Sequence, residues 1–216
     1  MNKLHEVYKK AVLNKPLLDA LLLKVSRESN AKQITNLKNP QTAVDKVETK
    51  KEENPNRKYS LETVNDLSRG RLVYGSLDGM RNGVKIIKQA IKSSKLKIAK
   101  IDDYFTKPEG GYKGYHIDIK FPDGQHGEIQ LHTVQTYAAS LATHKTHEEY
   151  GDNPPPDAEE RSEKDMDKIN AMPKDKAEKL AGKIEDENEP KQTAAQIAAL
   201  KMAMGLEKIR KNSFKK

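Results

Sequence analysis

"GGYKGYHIDIKFPDGQHGEIQLHT", residues 110–133, decides the fold. Two runs of alternating residues flank Pro122-Asp123-Gly124, a turn sequence, and read as a β-hairpin. Side chains alternate across a strand. Tyr115, Ile117, Ile119 and Phe121 therefore share one face of the first strand, and Ile129 and Leu131 share one face of the second. Both apolar faces need the same core, so they must coincide. His116, Asp118 and Lys120 then share the opposite face with Glu128, Gln130 and His132. A one-sided sheet with a wet outer face is common and carries no function by itself.

The chain has 216 residues, enough for one ordinary domain with attachments. Apolar residues make up 35% and charged residues 33%, a balance that confines the core to part of the chain. A formal net charge of +8 suits polyanionic ligands such as nucleotides or RNA and says nothing of fold. Without cysteine, disulfides and thiolate-metal sites are excluded. No apolar run nears the roughly 20 residues that span a bilayer. MNKLHEVYKK, residues 1–10, lacks the apolar core of a secretory signal, so no membrane partner is expected.

Working outward, residues 3–28 read as two helices, with Leu4, Val7, Tyr8 and Val12 on the first and Leu17, Leu18, Leu21, Leu22 and Val25 on the second. Pro16 fits the first turn of that second helix. A third helix starts with Asn39 as cap and Pro40 at its first position. GRLVYG (70–75) reads as a buried strand and KLKIAKI (95–101) as another. Between them Met80, Val84, Ile87 and Ile91 share one helical face. After the hairpin a helix turns Val134, Tyr137, Ala138 and Leu141 inward. This order predicts an α+β fold, a mixed sheet of four to five strands flanked by helices. Past Asp152 the chain is proline-rich, then highly charged. Helices are expected there, with Pro190 at a helix start, a thin stripe of Ile197, Leu200 and Met204, and a basic end, EKIRKNSFKK (207–216). Residues 1–150 are read as the folded domain and 151–216 as an appended, partly mobile helical extension.

What argues for a site is the company the polar hairpin face keeps. Asp66 just precedes the neighbouring strand, so Asp66 and Glu128 can meet. Two carboxylates from separate strands suit Mg²⁺, which takes oxygen ligands and leaves positions for water and phosphate. Arg69, Arg71, Lys107 and Lys113 lie close in sequence. Lys38 stands before a helix start, with Thr42 in the first turn and Lys46 one turn on, a place where free N–H groups favour phosphate. Tyr112, outside the strand alternation on a glycine-rich loop, can stack on a nucleobase. Tyr115 alternates with Ile117 and belongs to the core. His144 and His147 lie one helical turn apart, but nothing supplies further zinc ligands.

With these residues assembled, the chain resembles the RelA/SpoT-type nucleotide pyrophosphotransferase domain over about residues 34–150. The family's K-x-P-x-S-I-x-x-K element is matched by Lys38, Pro40, Thr42 and Lys46. Its D-I-x-G-x-R element is matched by Asp66 and Arg71, and its D-Y element by DDYF (102–105). G-Y-[RK]-S-x-H is matched by Tyr112, Lys113 and His116, E-I-Q-[IL]-R-T by EIQLHT (128–133), and H-x-x-Y by His147 and Tyr150. The family usually has an arginine near Asn36, a serine at Thr42 and an arginine at His132. It also has an adenine-stacking arginine before the D-Y element, where only Lys100 could substitute. His132 lacks the permanent charge and bidentate fork of the arginine it replaces.

The resemblance implies a nucleotidyltransferase-like fold and transfer of the β,γ-pyrophosphate of ATP to a ribose 3′-hydroxyl of GDP, GTP or an adenine nucleotide. By position, Asp66 and Glu128 would hold Mg²⁺, with Glu128 helping to deprotonate the acceptor. Lys38, Thr42 and Lys46 would bind ATP phosphates, and Arg71 would stack on adenine. Tyr112 would stack on the acceptor base. Lys113, His116 and Gln130 would steady phosphates and the reacting centre. No H-D hydrolase motif is present, which suits a small alarmone synthetase or a toxin working in the cytosol, the latter with an antitoxin or immunity protein as partner. Two rival readings stand beside this one: a toxin relative that pyrophosphorylates the 3′ end of tRNA, and a non-catalytic nucleotide- or RNA-binding domain.

Overall fold

A computed structural model of the chain describes residues 3–53, 55, 56, 58–108, 110–150 and 155–206, with the backbone alone for 145–150. The hairpin forms as its alternation requires. Strand β4 (Tyr115–Lys120) pairs antiparallel with β5 (His126–Thr133), Ile117 opposite Ile129 and Asp118 opposite Glu128. Gly124 turns the chain at φ 86°, a conformation that favours glycine. On its free side β5 pairs in parallel with β2 (Ser68–Tyr74), and β4 pairs antiparallel with β3 (Lys97–Asp103). The sheet is five-stranded and mixed, in the order β1-β2-β5-β4-β3.

The edge strand β1 (Lys32–Leu37) escapes the sequence reading. Its residues, KQITNL, are mostly polar and only partly buried, so neither periodicity stands out. Antiparallel pairing with β2 fixes it, Leu37 opposite Ser68.

One face of the sheet packs beneath α1 (Lys3–Ser29) and α3 (Leu77–Lys92). Leu18, Leu22 and Val25 meet Leu72, Ile117, Ile129, Ile87 and Ile91 in the main core. The two expected N-terminal helices are one. Pro16 lies inside α1, where it removes a helical hydrogen bond. Burial of Leu4, Val7 and Tyr8 on one side of it and of Leu18, Leu21 and Leu22 on the other holds both halves in line. Asn39 does cap α2 (Pro40–Glu53), accepting the Gln41 N–H at 2.8 Å.

The opposite face is covered at one end by α4 (Val134–Tyr150), α5 (Pro156–Asn170) and α6 (Lys174–Ala203). Val73, Tyr137 and Ala138 pack there with Met166, Ile169, Ala177 and Ala181. Pro190 lies inside α6, not at a helix start. The far end of α6 brings Ala199 and Met202 to Leu4, Tyr8, Ala43 and Val64, a further core joining α1 and α2. Ile197, Leu200 and Met204 stay exposed. Among the described residues no helix is long and apolar enough to cross a membrane.

Gly83 lets α3 approach β2. A Cβ there would overlap the hydroxyl and ring of Tyr74, which is buried and lies 3.2 Å from Ser29 Oγ. Helix propensity alone would make Gly83→Ala stabilising by up to about 1 kcal/mol. Overpacking against a rigid ring costs about 1–3 kcal/mol, so the substitution is expected to destabilise. Urea unfolding measures the sign, and a raised midpoint would show that the ring has room to move.

Candidate active site

Sheet register places the polar residues in rows. Arg69, Glu128, Asp118 and Lys100 lie side by side across β2, β5, β4 and β3. The next row is Arg71, Gln130, His116 and Asp102. Glu128, Gln130 and His116 share one face, as the alternation requires.

Asp66 sits on the turn two residues before β2. Pairing of β1 with β2 continues one step past the strand end, where the Lys38 N–H donates to the Leu67 carbonyl at 2.9 Å. The Lys38 side chain thereby reaches Asp66, with Nζ 2.8 Å from Oδ2. Lys46, nearly two turns into α2, brings its Nζ to 3.2 Å from the same oxygen, and Arg69 stands 4.0 Å away. Beneath them the buried Tyr8 hydroxyl donates to the Lys38 carbonyl at 2.8 Å. Lys38 and Asp66 are both buried. Burial alone would raise the Asp66 carboxyl, but the charges of Lys38, Lys46 and Arg69 outweigh it and hold the group well below the carboxylate range. Burial lowers the Lys38 ammonium, with Asp66 opposing.

Glu128 is held by its own network. Gln130 Nε2 donates to Glu128 Oε2 at 2.7 Å, while Gln130 Oε1 accepts from Arg71 Nε at 2.7 Å. His116 Nδ1 lies 3.4 Å from Glu128 Oε1, and His116 Nε2 lies 2.7 Å from the Tyr112 hydroxyl. Burial pushes Glu128 up, and the His116 hydrogen bond and charge, with Arg69, bring it below its ordinary value. Asp66 acts on Glu128 in the opposite direction, so the two carboxylates feel one another.

The Tyr112 ring is half-buried, edge-on to Tyr104, His116 and His132. Its hydroxyl is raised, chiefly by burial. His132 is fully buried, 3.3 Å from Thr136 Oγ1, and burial with the nearby His116 and Arg71 charges pushes it well below its usual range. It is a neutral ring where an arginine would carry charge. The other expected residues stand outside this network. Thr42 is exposed on the first turn of α2, Lys113 is half-buried without a side-chain hydrogen bond to a described residue, and Lys107 is exposed. The side chains of His147 and Tyr150 lie outside the described residues, as do residues 207–216.

Sequence reasoning put Asp118 on the polar face and gave it no role, and it missed Asn65. Asn65 Nδ2 donates to both Asp118 oxygens at 2.9 Å, tying the turn that carries Asp66 to the strand opposite Glu128. Burial, with Glu128 and Asp102, raises the Asp118 carboxyl against the Asn65 bond. The alternation His116-Ile117-Asp118 placed Asp118, but nothing in VNDLSR announces Asn65 as its partner.

The donor set fits a hard cation. Asp66 Oδ1 is buried and has no hydrogen-bond partner among the described residues, and both carboxylates are held ionised. No group of three or more His, Cys, Asp or Glu among the described residues could hold a metal ion, so such a cation would draw its remaining ligands from substrate and water.

No family model matches the sequence, and no curated protein matches it. Solved structures do. Small alarmone synthetase 2 from Bacillus subtilis aligns at TM-score 0.58 and 22% identity, covering 86% of this chain and 98% of that one. Small alarmone synthetase 1 from Bacillus subtilis, bound to its product pppGpp, aligns at 0.57 and 18%, covering 84% and 94%. The type VI effector Tas1, in complex with its immunity protein, aligns at 0.52 and 19%, covering 82% and 95%. The chain has the fold of the small alarmone synthetases.

The two kinds of carboxylate predict opposite pH behaviour. Asp66, depressed, contributes stability above the ordinary carboxylate range that is lost as pH falls through its folded value. Asp118, raised, carries a penalty at neutral pH that protonation relieves. Asp118→Asn should be at least as stable as the parent at pH 7, and the difference should vanish below about pH 4. Asp66→Asn leaves Lys38 buried and unpaired and should lose about 3–5 kcal/mol at neutral pH, a deficit that shrinks in acid. Urea unfolding from pH 7 to well below about pH 4 tests both, since the Asp66 contribution is lost only beneath the ordinary carboxylate value, and a destabilised Asp118→Asn at pH 7 would reverse the sign assigned to it.

Proposed function

We propose that the protein transfers pyrophosphate from ATP to the 3′-hydroxyl of a guanine or adenine nucleotide, making a (p)ppGpp- or (p)ppApp-like alarmone. The observation that carries this is the two ionised carboxylates, Asp66 and Glu128, which feel one another and are set among Lys38, Lys46, Arg69 and Arg71 in a chain with the alarmone-synthetase fold. Three cations around one buried carboxylate leave positive charge unneutralised, which favours a polyphosphate. Lys38, Lys46 and Thr42 at the start of α2 would bind the ATP phosphates. Arg71 would meet adenine, and Tyr112 the acceptor base, with Lys113 beside it.

In the reaction the acceptor oxygen forms a bond to the β-phosphorus, the bond from the β-phosphorus to the α,β-bridging oxygen breaks, and AMP leaves with that oxygen and its electron pair. The hydroxyl proton passes to Glu128. Because that carboxylate is a weak base, the proton leaves as the new bond forms rather than before it. His116 and Gln130 hold Glu128 in place for this transfer. Asp66 and Glu128 would hold a Mg²⁺ ion, which supplies charge neutralisation on the transferred phosphates when bound. The shared fold of a type VI effector supports a toxin setting in the cytosol, with a neutralising protein as partner.

The test incubates the protein with γ-labelled ATP, Mg²⁺ and, separately, GDP, GTP, ATP, AMP and bulk tRNA. Label on a mononucleotide is expected. Label on tRNA alone would replace the acceptor, and no transfer to any acceptor would leave a binding domain. Asp66→Ala and Glu128→Ala, each folded by circular dichroism, should slow transfer at least about 10²–10³-fold. Parental rates in both variants would overturn the site.

A further inference from the structure

The outer face of α3 carries its charge differently from other helices of the chain. On α5 and α6 exposed cations face acids one turn away: Arg161 with Asp157 at 2.8 Å, Lys164 with Glu160 at 2.6 Å, Lys174 with Glu178 at 3.6 Å. From Gly79 to Ile101 there are seven cations and no acid, against a net charge of +8 for the whole chain. Arg81, Lys85, Lys88 and Lys92 recur at steps of 4, 3 and 4 residues, a single line on one helical face. At about 1.5 Å rise per residue the line runs about 16 Å, and Lys95 extends it. Arg81, Lys85, Lys92 and Lys95 are exposed and Lys88 is half-exposed. Arg81 reaches Asp78 at 3.4 Å and Lys88 lies over the Tyr115 ring. Lys85, Lys92 and Lys95 pair with no described acid.

Like charges four apart destabilise a helix by a few tenths of a kcal/mol each. Nothing in the fold requires them, because α3 is held by its inner face, Met80, Ile87, Ala90 and Ile91. A polyanion relieves the repulsion. A basic amphipathic helix can also lie on an anionic membrane, but it needs apolar side chains to insert. Those of α3 are mostly in the core, and the exposed large apolar residues nearby are Leu77 at 37%, at the start of α3, and Ile98 at 38% and Ile101 at 37%, on β3 rather than on the helix. One narrow line of mostly lysine point charges fits a single phosphate backbone.

We propose that the outer face of α3 docks a single-stranded nucleic acid by its phosphates, without sequence preference, on the side of the sheet opposite the candidate active site. This surface is independent of the transfer reaction: the strand is a partner, not the acceptor.

Fluorescence anisotropy of the full chain with a labelled oligouridylate, over a range of salt, tests it. The comparison is Lys85→Glu/Lys92→Glu/Lys95→Glu, with the Gln triple as a second variant should charge reversal disturb folding. Affinity is expected to fall at least about tenfold, and the slope of log K against log salt to become shallower by about 2, near 0.7 for each lost phosphate contact. The thermal midpoint should not fall, because like-charge repulsion on α3 is removed, and mononucleotide turnover should not change. Parental affinity and slope in both variants would overturn the proposal. So would a parent that ignores the oligouridylate but binds phosphatidylserine vesicles, which would make α3 a membrane-facing helix.

Discussion

The buried Lys38–Asp66 ion pair is the constraint on which the rest of the polar face depends. Taking two charges out of water costs several kcal/mol per ion, and the attraction between them does not reliably offset it. A pair kept for stability alone would be replaceable by apolar side chains of similar size. Here Lys46 and Arg69 crowd the same carboxylate, so the cluster holds more positive charge than it neutralises. That imbalance is costly in an isolated fold and useful where an anion is to be received.

Backbone pairing, not side-chain chemistry, sets the cluster. The β1–β2 register carries one step beyond Leu37 and Ser68 and so delivers Lys38 beside the Asp66 turn. Tyr8 of α1 fastens the Lys38 carbonyl from below, and Asn65 fastens the same turn to Asp118 from the side. A one-residue slip of β1 would turn its alternate side chains to the other face and withdraw Lys38. An edge strand of modest apolar content is therefore fixed by both its neighbours and the ion pair it helps to form.

This explains what was legible in the sequence. Period-2 alternation made the hairpin and its two faces plain, because six apolar residues could be satisfied only one way. The start of α2 was plain too, since Asn39-Pro40 combines a cap with a fixed φ. Pro16 and Pro190 misled for one reason: a local rule that breaks isolated helices yields to tertiary packing on both sides of the proline. β1 was invisible because its burial is lent by β2, α1 and α6. At the site, Asp66, Glu128 and the lysines could be named from order and spacing. Asn65 could not, because its role arises from a contact 53 residues away in the chain. Nor could the inward aim of the Tyr112 hydroxyl, which depends on where His116 and His132 come to lie.

The Glu128 network also bears on how a ligand would enter. Arg71, Gln130, Glu128, His116 and Tyr112 form an unbroken run of hydrogen bonds across three strands and a loop. Each internal bond is worth about 1 kcal/mol net, so exchanging one for a bond to substrate changes little in either direction. The excess charge around Asp66 is different, because Glu128, which also feels Arg69, offsets only part of it. On the proposed reading, the gain on binding an anionic nucleotide would lie at the Lys38–Lys46–Arg69 end, while the histidine–tyrosine end would orient what is bound. Affinity and orientation would then be divided between the two ends of one sheet face, with Glu128 where they meet.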